Sequence, residues 1–255
     1  MEKVTVSALQ EMKREGRKIV GVVAWDFQIA QIADRAGVDI VSVGDSVGVN
    51  LWGHANPFEV TVDEMIIVCK AVRRGTKRAI VSCDFPHGPL QGGVESAVRA
   101  AVRFVEEGGA DMVKMDDAVD FPEAVAAIVR AGITVVAQFG TESASASAQM
   151  TEKLVADAKR LQAAGASMLD FIHSGPVAGP AVVSAVSIPV VGGMGGGPWL
   201  DGRIRMAHAA IGYAATALDS KTESYANVAR ITLDAITAYS DDVRAGRQIK
   251  GAVPV

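Results

Sequence analysis

The feature that most limits what this chain can fold into is an alternation of short apolar runs, rich in Val and Ile, with amphipathic segments. "KIVGVVAWD" is followed by "FQIAQIADRAG", "DIVSVGDS" by "VDEMIIVCKAVRRG", "RAIVSCD" by "ESAVRAAVRFVEEGG" and "DMVKMDD" by "FPEAVAAIVRAG". The alternation continues through "ITVVAQFG", "MTEKLVADAKRLQAAG", "ASMLDFIHSG", "PAVVSAVS" and "IPVVGG", after which "DGRIRMAHAAIG" reads as a helix. Continuous apolar runs of this length suit strands buried on both faces, as in a parallel sheet crossed by helices. Glycines near the segment ends (Gly37, Gly75, Gly108, Gly132, Gly165) fit helix C-caps. Seven strands are plain, and the weak "GYAAT" stretch is the only candidate left for an eighth. The tail "ESYANVARITLDAITAYSDDVRAG" reads as a long closing helix. The α/β class follows, and the economical architecture is a (β/α)8 TIM barrel with a long C-terminal helix, one domain over residues 1–255. Periodicity alone leaves an open doubly wound sheet possible, although no GxGxxG follows the first strand.

Composition narrows the function classes. With 255 residues and 49% hydrophobic side chains, the chain can bury a substantial core. A net charge of −4, with both signs mixed along the sequence, leaves no footprint for nucleic acid or an anionic membrane, so a small-molecule partner is expected. The N-terminal "MEKVTVSALQEMKREGRK" is amphipathic rather than a signal peptide, and no apolar run is long enough for a bilayer, which places the protein in the cytoplasm. Cys69 and Cys83 show no zinc or disulfide spacing and read as buried, reduced thiols.

In a parallel barrel the chemistry gathers where strands end. Those ends supply Asp26, Asp45 with Ser46, Asp84, Lys114 with Asp116 and Asp117, Gln138, His173 and the glycines from Gly192 to Gly197. Carboxylates brought to one mouth repel one another unless a cation neutralises them. Oxygen-only donors favour a hard ion, Mg2+ above all, with Asp45, Asp84 and Asp116 as candidate ligands. Lys114 lies two residues before Asp116 and so faces the same side, where it can pair with a carboxylate or a substrate anion. Asp26 fits a helix N-cap as well as a ligand, and Asp117 and Asp120 suit solvent or a cap.

"VGDSVGVNLWGH" resembles the ketopantoate hydroxymethyltransferase family (3-methyl-2-oxobutanoate hydroxymethyltransferase), within the phosphoenolpyruvate/pyruvate barrel superfamily. The similarity runs in order through "AVRRG", "CDFP", "GGADMVKMDD", "LQAAGASML", "SIPVVGG", "DGRIRMAH" and "YSDDVRAG". This resemblance implies that Asp45 and Asp84 surround a Mg2+ chelated by a 2-oxo acid, with Asp116 close by, and that Ser46 and Lys114 bind the acid. It implies aldol-type hydroxymethyl transfer through a metal-stabilised enolate, a homo-oligomer, and 5,10-methylenetetrahydrofolate as one-carbon donor.

Three departures bear on that picture. The family's catalytic glutamate near the end of the sixth strand is missing from "MLDFIHSG"; His173 is the available base, since imidazole titrates near neutrality. Gln138 in "AQFG" replaces a family histidine and can hydrogen-bond a substrate oxygen but cannot shuttle a proton. The family's longer loop after that strand is reduced to "TESASASAQ", which implies a more open mouth, a different acceptor or loss of the folate arrangement. The glycines of "GGMGGGPWLDG" could offer backbone amides to a carboxylate or phosphate, or form a turn. His54 and His87 sit in loops after their strands, within reach of the site, but only His54 is supported, by the resemblance; His208 reads as structural. The leading expectation is therefore a Mg2+-dependent enzyme acting on a 2-oxo acid. A lyase or hydrolase of the same superfamily and a non-catalytic 2-oxo-acid-binding barrel remain alternatives.

Overall fold

The computed structural model describes residues 2–141 and 147–251; most of the shortened "TESASASAQ" loop, residues 142–146, lies outside the described residues. The chain forms two compact units, Met1–Arg205 and Met206–Val255. In the first, helix α1 (Val6–Arg14) precedes β1 (Ile19–Val23), α2 (Phe27–Arg35), β2 (Ile40–Val43), α3 (Val62–Gly75) and β3 (Ile80–Asp84). Then come α4 (His87–Gln91), α5 (Val94–Glu106), β4 (Met112–Met115), α6 (Pro122–Arg130), β5 (Val135–Gly140) and α7 (Ala148–Ala163). The series ends with β6 (Met168–Ile172), α8 (Ala178–Ala185), β7 (Val190–Gly192) and β8 (Gly202–Met206). The second unit carries a short α9 (Ala207–Ala210) and the long α10 (Val228–Arg244). All eight strands close into one barrel in sequence order.

Seven strands fall where the apolar runs predict them, but the eighth does not. Gly212–Thr216 is a turn running into a 3-10 segment at Ala215–Leu218, and β8 is instead the first half of the stretch read as a helix. Ile204 is buried in the barrel between two exposed arginines, Arg203 and Arg205, an alternation of period two that two charges had disguised. Ile19 N–H donates to Asp201 C=O at 2.9 Å, joining β1 to the residue that opens β8. Of the predicted glycine caps, Gly37, Gly132 and Gly165 take positive φ, whereas α5 uses Gly109 rather than Gly108. Gly75 is the last residue of α3 and is needed for closeness, because a Cβ there would come 2.6 Å from the Phe27 carbonyl oxygen.

The interior is layered. Ile19, Ile40, Ile80, Met112, Val136, Met168, Val191 and Ile204 pack with Val4, Leu9 and Met12, so α1 plugs the lower end of the barrel with apolar side chains. Two residues further along β2, β3, β4, β5 and β6, on the same inward face, stand Ser42, Ser82, Lys114, Gln138 and Asp170.

Aspartates fix how three strand pairs align. Asp39, just before β2, donates its N–H to Val20 C=O and accepts Val20 N–H on its carboxylate at 3.0 Å. Asp111 does the same with Val81 at 3.0 Å, and Asp201 with Val190 at 2.8 Å. Each is neutralised by a neighbour: Asp39 by Arg78, Asp111 by Lys3 and Arg73, and Asp201 by Lys13. Asp34, at the end of α2, holds the start of β3 by accepting the backbone N–H groups of Lys77, Arg78 and Ala79. Burial alone would raise its pKa, but the three donors and the Arg78 cation outweigh burial and hold it below the ordinary aspartate value.

Replacing Asp34 with Ala should cost about 3 kcal/mol in chemical denaturation, because it strands buried N–H groups. A lowered folded-state pKa means that this stabilisation is fully present above about pH 4 and fades as pH falls through the folded value. The Ala variant should therefore lack part of the acid-side loss of stability; an acid limb identical to wild type would contradict the assignment.

Candidate active site

Strand register brings the polar side chains together. Ser42 pairs in register with Ser82, Asp84 with Lys114, and Gln138 with Asp170. Lys114 Nζ donates to Asp84 Oδ2 at 2.9 Å and also to Asp116 Oδ1, while Ser42 Oγ donates to Asp84 Oδ1 at 3.0 Å. Lys114 and Asp84 are buried, and Asp116 is partly open to the mouth. Asp45 follows β2 by two residues and is close enough for its titration to respond to both Asp116 and Lys114.

Charge balance in this cluster is unfavourable for the acids. Burial first, then repulsion from Asp116, pushes the Asp45 carboxyl up to about 6, with Lys114 opposing. Burial also pushes Asp84 up to about 7, with Asp116 and Asp45 adding to the rise and Lys114 opposing it. Lys114 is driven well above its usual value: burial opposes its charge, but the surrounding carboxylates win. One ammonium thus serves several acids, and the mouth is short of positive charge.

Among the described residues, no group of three His, Cys, Asp or Glu side chains is arranged to hold a metal ion. Two of the three expected ligands, Asp84 and Asp116, are engaged by Lys114 instead. The donor set still fits Mg2+, which is commonly held by one or two carboxylates and completed by water and substrate oxygens. Two oxygen donors with raised pKa and an unmet need for cationic charge are the observation behind that fit.

The other expected residues separate into groups. Ser46 lies half-buried just beyond β2, and its carbonyl accepts from Asn50. Asp26 caps α2 by accepting Ile29 N–H at 2.9 Å, the role its sequence context allowed. Asp117 and Asp120 are exposed. His173 closes β6 in a left-handed conformation, φ 50°, with its N–H donated to Met194 C=O at 2.6 Å. A non-glycine residue there is uncommon and is held by its surroundings. His54 is half-buried beside Trp52, and exposed His87 packs on Phe58. Cys69 and Cys83 are free, buried thiols. In the glycine-rich loop, Gly193 N–H points into the barrel rather than at solvent, and Trp199 Nε1 donates to Ser174 Oγ.

Asp170 is the residue that reading strand ends did not find. Fully inside β6 and 2% exposed, it accepts from Gly193 N–H at 2.7 Å and Gln138 Nε2 at 3.3 Å. Burial raises its pKa, while Lys114 and the two donors oppose the rise. The signal was available: Asp170 lies two residues after the core residue Met168 and therefore faces the interior.

Comparison with known proteins decides the family. The model of the ketopantoate hydroxymethyltransferase family matches residues 3–248. The chain belongs to the ketopantoate hydroxymethyltransferase family. It is 35% identical over 256 residues to a 3-methyl-2-oxobutanoate hydroxymethyltransferase of Cytophaga hutchinsonii, covering 96% of this chain and 94% of that protein. A protein of the same name from Moorella thermoacetica is 36% identical, with 96% and 95% covered. Among solved structures, a 2,3-dimethylmalate lyase aligns with TM-score 0.63 at 16% identity, covering 98% of this chain and 92% of that one. A phosphonopyruvate hydrolase solved with oxalate and Mg2+ aligns with TM-score 0.62 at 15% identity, covering 99% and 92%. These structures share the barrel fold. Membership of the family makes the chain an enzyme of the hydroxymethyltransferase type. Among the described residues, no helix is long and apolar enough to cross a membrane.

Removing the charge with Lys114→Met should destabilise the protein by about 3 kcal/mol in urea titration, since it leaves Asp84 buried beside other acids without its cation. A loss below about 1 kcal/mol would mean that the Asp84–Lys114 pair is not the centre of the cluster.

Proposed function

We propose that this enzyme binds a 2-oxo acid with Mg2+ and makes or breaks the carbon–carbon bond at C3 by way of an enolate, as in hydroxymethyl transfer. The observation carrying the reading is the Asp84–Lys114–Asp116 cluster, with Asp45 beside it, at the strand ends of a barrel of this family. Asp45 and Asp84 are the residues that would hold Mg2+, with Asp116 at the edge of the site. When bound, Mg2+ supplies Lewis-acid polarisation of the 2-oxo group, which acidifies C3–H. Lys114 and Ser46 bind and orient the acid through its oxygens, and Gln138 contributes a carboxamide. An imidazole nitrogen of His173 accepts the C3 proton, its backbone fixed by the Met194 hydrogen bond.

Proton exchange at C3 of pyruvate, 2-oxobutanoate and 3-methyl-2-oxobutanoate in D2O, followed by NMR, tests the chemistry. Exchange should require Mg2+ and stop with EDTA. Asp84→Asn should weaken Mg2+-dependent binding at least about tenfold, consistent with losing a buried charged contact. His173→Ala should lower exchange at least about 100-fold, the usual scale for a general base, while sparing binding. Exchange at the wild-type rate in His173→Ala would remove that residue from the role.

The proposal includes a homo-oligomer. Helix α10 turns Leu233, Ile236, Tyr239 and Val243 to solvent, each 42–58% exposed and spaced along one side of the helix. A second copy of the chain is the occupant this apolar side suits. Light scattering should give a multiple of 26.5 kDa, and Ile236→Asp should lower it. A wild-type monomer would refute the assembly.

A further inference from the structure

Asp170 and Gln138 form a unit that the family resemblance does not supply. They face each other in register on β6 and β5, and both point into the barrel above the apolar layer of Val136 and Met168. Gln138 is only partly buried, whereas Asp170 is 2% exposed and its two carboxylate oxygens each hold a donor. That arrangement keeps Asp170 from meeting a ligand and leaves Gln138 as the group at the mouth.

Hydrogen-bond logic fixes which way the Gln138 carboxamide points. Gln138 Nε2 donates to Asp170 Oδ2 at 3.3 Å, so the carboxylate holds the amide nitrogen of Gln138 and not its oxygen. Gly193 N–H, at 2.7 Å from Oδ1, anchors Asp170 from the other side. With Nε2 directed to Asp170, Oε1 is the atom turned to the mouth, and an acceptor there favours a ligand group that donates.

We propose that Asp170 is a positioning residue that orients Gln138 to accept a hydrogen bond from a hydroxyl group of the ligand, so that the site selects a hydroxylated 2-oxo acid. The inference rests on the 2-oxo-acid reading above and adds the donor requirement to it. The hydroxyl is the group that an aldol addition creates and a retro-aldol cleavage consumes. The acceptor is therefore matched to the hydroxymethylated member of the reacting pair.

The substitution Asp170→Asn should reverse the arrangement without changing its shape. Gly193 N–H still requires an oxygen, so the new carboxamide keeps its oxygen there and turns its amide nitrogen toward β5. Gln138 must then answer with Oε1 and present Nε2 to the mouth.

The test compares three ligands by calorimetry in the presence of Mg2+: 3-methyl-2-oxobutanoate, its hydroxymethylated derivative, and the fluoromethyl analogue, in which fluorine replaces the hydroxyl and can no longer donate. Wild type should prefer the hydroxymethyl ligand over the fluoromethyl one by about tenfold, the scale of one net hydrogen bond. Gln138→Met should bring that ratio to about one, and Asp170→Asn should reduce it to about threefold or less. The double variant should match Gln138→Met, because Asp170 acts through Gln138. Loss of the Asp170 charge acts on all three ligands alike, so the hydroxymethyl-to-fluoromethyl ratio, not the affinity for 3-methyl-2-oxobutanoate, separates positioning from a general structural defect. A wild-type ratio near one, or an unchanged ratio in Asp170→Asn, overturns the inference while leaving the 2-oxo-acid reading in place. If none of the three ligands binds wild type, that reading falls and takes the inference with it.

Discussion

A carboxylate placed just ahead of a parallel strand can hold both the N–H and, through its own amide, the C=O of one residue in the preceding strand. Asp39, Asp111 and Asp201 each do this, and each is paired with a cation that keeps the buried-edge charge tolerable. A parallel sheet has no hairpins to fix its register, so a two-point grip at the strand start is a direct way to set it. Through the Asp111 grip the upper end of the β3–β4 pair inherits that alignment. Asp84 meets Lys114 and Gln138 meets Asp170 because they are register partners, not because a loop delivers them.

The barrel divides its interior by polarity. Apolar side chains from all eight strands and the α1 plug fill the lower part, where burial stabilises without polar obligations. Above them lies a band in which four carboxylates, Asp45, Asp84, Asp116 and Asp170, face one ammonium, Lys114. Such a band is costly to bury, which is why its acids rise in pKa and why neighbouring donors are drawn to them. Ser42, Gln138 and Gly193 N–H are recruited to the acids in this way. The excess of acid over base is the feature that the proposed Mg2+ site rests on.

Most of this was legible in the sequence because buried parallel strands write themselves as apolar runs and because their last residues stand out as polar. Asp45, Asp84 and Lys114 are found that way. Two things were hidden by the same logic. Strand β8 carries Arg203 and Arg205 on its outer side, so its run is broken by charge and resembles a helix. Its opening Asp201 repeats the Asp39 and Asp111 pattern, which marks it as a strand. Asp170 sits one inward position short of the strand end, a single acid within an apolar run. Reading strand ends stops at His173 and passes over the carboxylate already inside the strand. How the acids pair was only partly legible, since a sequence does not show that Lys114 occupies Asp84 and Asp116 itself.

The aspartate grips also divide the barrel into neighbouring pairs, β1 with β2, β3 with β4 and β7 with β8, joined across 19, 30 and 11 residues of chain. At the corresponding place before β6 stands Ser167, which donates its N–H to Val135 C=O but has no carboxylate to complete the grip. Circular permutation would feel the difference. New termini opened between β2 and β3, β4 and β5, or β6 and β7 leave each grip local in the chain, whereas an opening inside a gripped pair turns it into a contact between the two ends of the polypeptide. Three gripped two-strand modules thus sit in the ring of eight, with β5 and β6 paired without a grip.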